Sequence, residues 1–405
     1  MTTALPFLLR RQGLPMAEIT ALTAIPFLPL SLQPLWAPVL DLGGARRSWF
    51  IGTSLLAAVC TVLSTVLQAQ GRFTALLYTL LLTNVLYSLA SAALNLLCKS
   101  TVEYDQQGRA ASLLCTGSMM SAGFLGSVLI GLSEPPAFLR GVVHPWSLPA
   151  LGLLVGGLLV LSALPLWGAG RESRVDAAVD DEPGARQEAG ARRSAIGLQL
   201  RSSALETLRV LRGREGLLGL LTCLSPVGTA AAANLFGALG PDFHASTGDV
   251  ALATGGGAAL AMAVGALLGG YLADRADRRA VYLLAGALTA ACGLGMAIAP
   301  ATPTTFVVGA LAYSVATGLV YATFYPFVFS LLGPAAGEST RYGVFTGAAN
   351  LAIYYATALE GGIYASGGAG HLLKLDAALN LGGALAVVLL VRLWRPAVAP
   401  MNAPP

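Results

Sequence analysis

Side chains that could do chemistry are scarce in this chain and unevenly placed. Only 11% of the 405 residues are charged, against roughly a quarter in soluble domains. Two stretches concentrate the charge. Gly270-Tyr-Leu-Ala-Asp274-Arg275-Ala-Asp277-Arg278-Arg279 sits between two long apolar runs. Ala37-Pro-Val-Leu-Asp41-Leu-Gly-Gly44-Ala-Arg46-Arg47 is a weaker copy, with Ala37 where the other has glycine. A carboxylate is favoured at a helix N-terminus, and arginines pair with carboxylates through forked hydrogen bonds. Asp41, Arg46, Arg47, Gly270, Asp274, Arg278 and Arg279 therefore suit a gate that forms and breaks. The competing reading has them only anchor helix ends at a membrane surface.

Glu360 is the one carboxylate that falls well inside an apolar run. Intramembrane carboxyls are costly and mark proton or ion pathways. Two readings stand: a proton-coupling group, or an outer-end residue bathed by solvent, with Gly361 and Gly362 leaving it uncovered. Uncharged polar side chains also punctuate the apolar runs: Gln33, Asn84, Tyr87 and Asn95 in the first half, and Asn234, Tyr321, Tyr325, Asn350 and Tyr354 in the second. Singly, each is explained by an interhelical hydrogen bond. Together, amides and phenols suit a cavity for a polar solute that is not a simple ion.

The elements that must position these groups are membrane helices. With 55% hydrophobic residues and several apolar runs longer than a span of ~20 residues, the chain reads as an all-α polytopic membrane protein. Eleven full spans are expected, at 17–40, 48–70, 73–97, 110–131, 146–168, 215–240, 248–273, 280–299, 303–332, 342–366 and 375–394. Gly265/Gly269 and Gly343/Gly347 have the spacing of close helix contacts. An internal repeat offset by about 232 residues relates Asp41 to Asp274 and Arg109 to Arg341. On that offset the partner of span 215–240 would begin before Met1, so the first helix of the first half is expected to be largely missing.

The organisation follows: an N-terminal bundle over 1–168, a linker over 169–214, a C-terminal bundle over 215–396 and a tail over 397–405. Within the linker, Arg171 to Arg193 reads as disordered. Residues 203–212 read as a short amphipathic helix capped by Ser203 and Glu206. Placing both charged loops on the cytoplasmic side leaves only Arg10, Arg11, Arg72, Arg140 and Lys374 of the 24 Lys and Arg outside. The five Cys lie in or beside apolar runs without metal-ligand spacing, and the three His fall in loops, so neither a metal nor a cofactor is indicated. No cleavable signal peptide, Walker A string or nucleic-acid partner is indicated. Without a His, a Ser-His pair or an Asp-rich string inside a span, an embedded transferase is disfavoured. A non-transporting receptor stays open.

The Gly270–Arg279 stretch, with its weaker copy, resembles the signature loop of the major facilitator superfamily. The string Leu5-Pro-Phe-Leu-Leu-Arg-Arg-Gln-Gly-Leu, then Ala17-Glu18-Ile, then Gln33-Pro-Leu-Trp36-Ala-Pro-Val-Leu-Asp41 is similar to the peptide–acetyl-coenzyme A–drug branch, which includes muropeptide permeases of the AmpG type. The resemblance implies the major facilitator fold, two six-helix bundles that alternate access to a central site. It implies a proton-coupled secondary transporter, not an enzyme, sited in a bacterial-type inner membrane and acting as a monomer. The implied solute is a muropeptide, siderophore or similar polar molecule. It also implies that Asp274 faces the N-terminus of the eleventh family helix, near Thr340–Tyr342. Ala37 implies a looser contact in the first copy. Ser91 and Asn95 stand where the branch often carries two Asp.

Overall fold

The computed structural model describes residues 15–16, 19–20, 27–42, 45–70, 72–133, 147–168, 189–332 and 337–394. Every regular element among them is a helix. Helix α1 (Phe27–Ser31) passes through two 3-10 turns, Gln33–Leu35 and Ala37–Asp41, before α2 (Arg46–Ala69), α3 (Phe73–Thr101), α4 (Gln107–Ser133) and α5 (Leu148–Gly168). Then come α6 (Ala189–Arg212), α7 (Arg214–Leu224), α8 (Thr247–Thr254), α9 (Gly256–Ala273), α10 (Arg278–Ile298), α11 (Pro303–Leu332) and α12 (Glu338–Leu393). Helix α12 is two arms joined at Gly367 and Gly368. Gly368, at φ 62 and ψ −156, adopts a conformation essentially reserved for glycine.

Among the described residues seven helical stretches are long and apolar enough to cross a membrane: Arg46–Leu67, Tyr78–Thr101, Pro149–Trp167, Thr247–Ala273, Arg278–Ile298, Pro303–Leu332 and Glu338–Leu393. Their hydroxyls are satisfied locally. Thr53, Thr61, Ser64, Thr79 and Thr83 each donate to the carbonyl four residues back, at 2.7–2.8 Å, so that these hydroxyls are not left bare in an apolar setting. The packing is inside out compared with a soluble protein. Ala92, Ala93, Ala285 and Ala322 are buried, whereas Leu56, Leu284 and Leu385 are exposed. Small residues let the helices close up. A Cβ on Gly265 would lie 1.8 Å from the Val315 carbonyl oxygen, and one on Gly269 would lie 2.8 Å from that of Leu319, so the pair seals α9 against α11.

The repeat is visible in the architecture. Helix α2 packs on α3 and α5, just as α10 packs on α11 and α12. The halves meet where α4 lies along α9, and where α1 and its 3-10 turns lie along α12.

Three expected spans are not continuous: 248–273 changes helix at Gly255, between α8 and α9, and two others break more sharply. The described part of 17–40 turns into 3-10 geometry at Gln33, with Pro34 and Pro38 within the turns. The expected span 215–240 is continuously helical only to Leu224, with one further short helix at Phe236–Leu239. Ser225 and Pro226 break it, and Gly228 (φ 67) and Ala230 (φ 49) are left-handed before a 3-10 turn at Ala231–Asn234. Proline removes the amide that would continue the ladder.

The linker also differs from expectation. Helix α6 starts at Ala189, so Ser203 lies inside it and caps nothing, and residues 189–193 are helical. Ser203 and Thr207 face inward while Leu205 and Leu208 are exposed. A Cβ on the left-handed Gly337 would meet Ser203 Cα at 3.0 Å. Residues 171–188, 1–14 and Glu18 lie outside the described residues.

Candidate functional site

At the end of the molecule that carries both charged loops, each motif carboxylate caps a helix of the opposite half. Asp41 accepts from the amides of Ser339 (3.0 Å) and Thr340 (2.9 Å) and from the Thr340 hydroxyl (2.6 Å), at the start of α12. Asp274 accepts from the amides of Gly108 (2.6 Å) and Arg109 (3.0 Å) and from Arg109 Nε (3.1 Å), at the start of α4. The expected partner of Asp274, residues 340–342, thus belongs to Asp41. The repeat explains the exchange. Gly108 and Arg109 correspond to Thr340 and Arg341 by the same offset, so a two-fold relation crosses the partners over.

Nor is the first contact looser for having Ala37. The small residue has moved to the other helix. A Cβ on Gly343 would lie 2.5 Å from Ala37 Cβ, and one on Gly347 would lie 2.8 Å from Pro34 Cδ. In the second contact the glycine is on the motif side. A Cβ on Gly270 would lie 2.4 Å from Ser112 Cβ.

The arginines divide their work. Arg46, with Lys99, pairs across the halves with Glu338 in the first turn of α12. Arg47 donates to the Trp167 carbonyl. Arg278 is buried and crosses the interface to neutral acceptors, Gln107 Oε1 (3.1 Å) and the Tyr104 carbonyl. It also reaches the Pro326 carbonyl (3.2 Å) and stacks 3.7 Å from the Tyr104 ring centroid. Arg279 pairs with Glu215 at 2.8 Å within its own half, not across the interface. A second cavity of about 700 Å³ lies beside these groups, lined by Tyr104, Glu215, Asp277 and Arg278 among others.

Between the halves lies a cavity of about 170 Å³. Of the nine side chains expected there, Gln33, Tyr87, Tyr321, Tyr325 and Asn350 line it. The other four do not. Asn84 and Asn95 bond to carbonyls of their own helix, those of Leu80 and Ser91. Asn234 bonds to Thr357 at 3.4 Å. Tyr354 lies on α12 away from the lining. The rest of the lining includes Ser88, Ser91, Ser225, Thr229, Tyr282, Tyr342 and Thr346, and no charged side chain among the described residues. Gln33 is oriented by the Thr346 hydroxyl, which donates to its Oε1 at 2.8 Å. Val227, Gly228 and Thr229 of the broken segment form one wall.

Glu360 lies deeper than expected. It is 0% exposed, and Gly361 packs on Thr20, whose Oγ1 would be 2.0 Å from an added Cβ. Its carboxyl lies against that of Asp376, across the bend of α12. Asp376 is also 0% exposed and accepts from Tyr313 Oη at 3.0 and 3.1 Å and from Asn380 Nδ2 at 3.2 Å. Among the described residues no group of three or more His, Cys, Asp or Glu is arranged to hold a metal. All five cysteines are free thiols, with Cys98, Cys115 and Cys223 buried.

Residues 218–405 match the family model of the Major Facilitator Superfamily. Solved structures extend the likeness over the whole chain. The proton:xylose symporter XylE bound to 6-bromo-6-deoxy-D-glucose superposes at a TM-score of 0.71 and 13% identity, covering 97% of this chain and 95% of that one. A variant of the E. coli fucose:proton symporter FucP does so at 0.65 and 14%, covering 98% and 95%. The human organic anion transporter MFSD10 does so at 0.62 and 17%, covering 90% and 82%. The chain has the major facilitator fold. Two crossed helix caps, a small-residue seam and a central cavity are thus features of one chain with that fold.

Sequence reasoning missed several groups at these sites. Glu338 and Lys99 stand at expected span ends, where charge is unremarkable. Asp376 opens the expected span 375–394, which assigns it to the water-exposed end. Tyr313 carried no signal apart from polarity. For Asn380 a usable signal existed, because it follows Asp376 by four residues on one helical face.

Proposed function

We propose that this chain is a secondary transporter. It moves a small, uncharged, hydroxyl-bearing solute across a membrane by alternating access, and a proton gradient drives it through Glu360. The observation that carries the reading is the cavity between the halves, lined by phenols, hydroxyls and amides without a charged side chain among the described residues. Such a lining discriminates through neutral hydrogen bonds and ring stacking, which suits a sugar-like solute better than an ion. The volume favours a monosaccharide-sized solute over the muropeptide or siderophore implied by the branch resemblance. The xylose and fucose symporters, whose folds match, transport solutes of that size by name.

The crossed caps support the gating role. Both Asp41 and Asp274 are satisfied only while the halves are together at the motif end, so separation would strip each of two helix amides. With that end cytoplasmic, as the Lys and Arg distribution indicates, the conformation is closed inward. The setting proposed is a bacterial-type inner membrane, with the monomer as the working unit.

Reconstituted vesicles test the reading. Labelled monosaccharides, a muropeptide and a ferric siderophore are offered with and without an inward proton gradient. Gradient-dependent accumulation of a monosaccharide is expected. Chemical conversion of a solute without flux would make the chain an embedded enzyme, and saturable binding without flux would make it a receptor.

A further inference from the structure

We infer that Glu360 and Asp376 form a carboxyl dyad that holds one proton, and that this dyad clamps the broken segment walling the cavity. The inference deepens the proton-driven reading and rests on it for the use made of the proton. The dyad itself stands on separate observations.

The two carboxyls come from opposite sides of the Gly367–Gly368 bend and are both fully buried. They lie against each other. Neither Glu360 oxygen meets an N–H or O–H donor among the described residues. Asp376, by contrast, accepts from Tyr313 and Asn380, and the Ala232 amide faces it. The surroundings supply no positive charge among the described residues. Helix α11 contributes Tyr313 and, further off, Tyr321. Helix α10 contributes Gly293, whose added Cβ would meet Asp376 Oδ2 at 3.0 Å, with Cys292 beside it. The segment before α8 contributes Asp242, already bonded to Tyr364 at 2.8 Å. His371 and Lys374 on α12 are exposed, and His371 bonds to the Gly367 carbonyl.

Two carboxylates in contact, desolvated and with no cation facing them among the described residues, do not both ionise. One proton is therefore shared. Asp376 collects the donors and carries the charge. Glu360 has no donor among the described residues, so it carries the proton and donates it to Asp376. A polar pair of this kind has a defined reach. Asn380 Nδ2 donates to Asp376, and Asn380 Oδ1 accepts from the Gly228 amide at 2.8 Å. Gly228 lines the cavity with Val227 and Thr229. Loss of the shared proton would put two like charges in contact, part the arms of α12 and carry Asn380 away from Gly228. A proton taken up at the dyad is thus felt at the solute wall through two hydrogen bonds.

Infrared spectroscopy of the purified full chain at neutral pH tests the first half. A buried protonated-carboxyl stretch is expected in the parent protein and in Asp242→Asn, and absent from Glu360→Gln. A spectrum in which Glu360→Gln loses no such band would overturn the dyad. So would a band that appears only when sodium is replaced by choline, because a cation and not a proton would then fill the site. Cys223, which lines the cavity at the end of α7, reports the clamp. Its alkylation at fixed pH, read by peptide mass spectrometry, should rise roughly tenfold in Asn380→Leu, as expected for loss of one buried hydrogen bond. Asn380→Ser repeats the test if the leucine variant fails to fold. An unchanged rate in a folded variant would overturn the clamp. If band and clamp are both present but flux ignores the gradient, the dyad stands and the proton-driven reading falls. If flux follows the gradient but the band is missing, the proton-driven reading stands and the dyad falls.

Discussion

Replacing Asp274 by Asn should open the motif end of the molecule while leaving the fold intact. The carboxylate side chain is only 4% exposed and caps α4 through two amides, with Arg109 adding an ion pair. Asn keeps one acceptor oxygen, so the bond from Gly108 can persist in neutral form. Lost are the charge assistance of the two amide bonds, about 1 kcal/mol, and the favourable placement at a helix N-terminus, about 1 kcal/mol at a partly buried site. Arg109 is 63% exposed, and its pairing adds at most about 0.5 kcal/mol after solvent screening. Together these give about 2–3 kcal/mol, a shift of roughly 30- to 150-fold in the ratio of closed to open forms. Spin labels at Asp105→Cys and Ala276→Cys, two exposed positions on opposite halves, would report the separation in a background without the native cysteines. A new, longer distance should appear in Asp274→Asn, and likewise in Asp41→Asn. An unchanged distance distribution together with unchanged flux would refute the reasoning and leave the motif as a surface anchor.

Other outcomes follow from particular contacts. Gly343→Ala should weaken the closed form by about 1–3 kcal/mol through overpacking against Ala37, and adding Ala37→Gly should restore it; the same label distances check both. Arg278→Lys cannot reproduce the fork onto Gln107, Tyr104 and Pro326, so thermal stability should fall by about 1–3 kcal/mol, and an unchanged melting temperature would show those bonds to be idle. Tyr325→Phe and Asn350→Leu should each raise KM for the transported solute roughly 2- to 13-fold, the worth of a neutral hydrogen bond of about 0.5–1.5 kcal/mol. Asn84→Leu and Tyr354→Phe, whose side chains lie outside the lining, should leave KM where it is.

How much of this is legible in the sequence depends on contrast. Asp41, Asp274 and the paired arginines stand out because an apolar chain has few charges, and the ~232-residue repeat marks the helix starts they cap. The repeat cannot say which half a carboxylate reaches into, so it does not separate the partners of Asp274 from those of Asp41. The close packing of Gly343 against Ala37 is half visible, because four-residue glycine spacing signals contact without naming the partner. Asp376 is hidden by the bend at Gly367 and Gly368. A tight hairpin returns the chain after two residues, so a side chain assigned to a water-exposed end is carried back beside Glu360. Cavity membership is least legible. Asn95 and Tyr87 have the same period on one helix, yet one is buried against Ser91 and the other lines the cavity, a difference of facing that polarity alone does not encode.

The break after Leu224 has a consequence for how this protein can change over generations. On that side Val227, Gly228 and Thr229 line the cavity, and their peptide groups are partly committed: the Val227 carbonyl accepts from Tyr282 Oη and the Gly228 amide donates to Asn380, whereas Gln33, Tyr87 and Ser88 line the other side. A peptide group offers the same N–H and carbonyl whatever residue bears it. Gly228 is nonetheless closed to drift, because it is left-handed at φ 67 and an added Cβ would meet Val320 Cγ1 at 2.9 Å. The opposite wall can be retuned one substitution at a time. Divergence of solute preference should therefore be slow at the break and run through the side chains around it, Tyr87 and Ser88 in the first half and Tyr325 and Asn350 in the second.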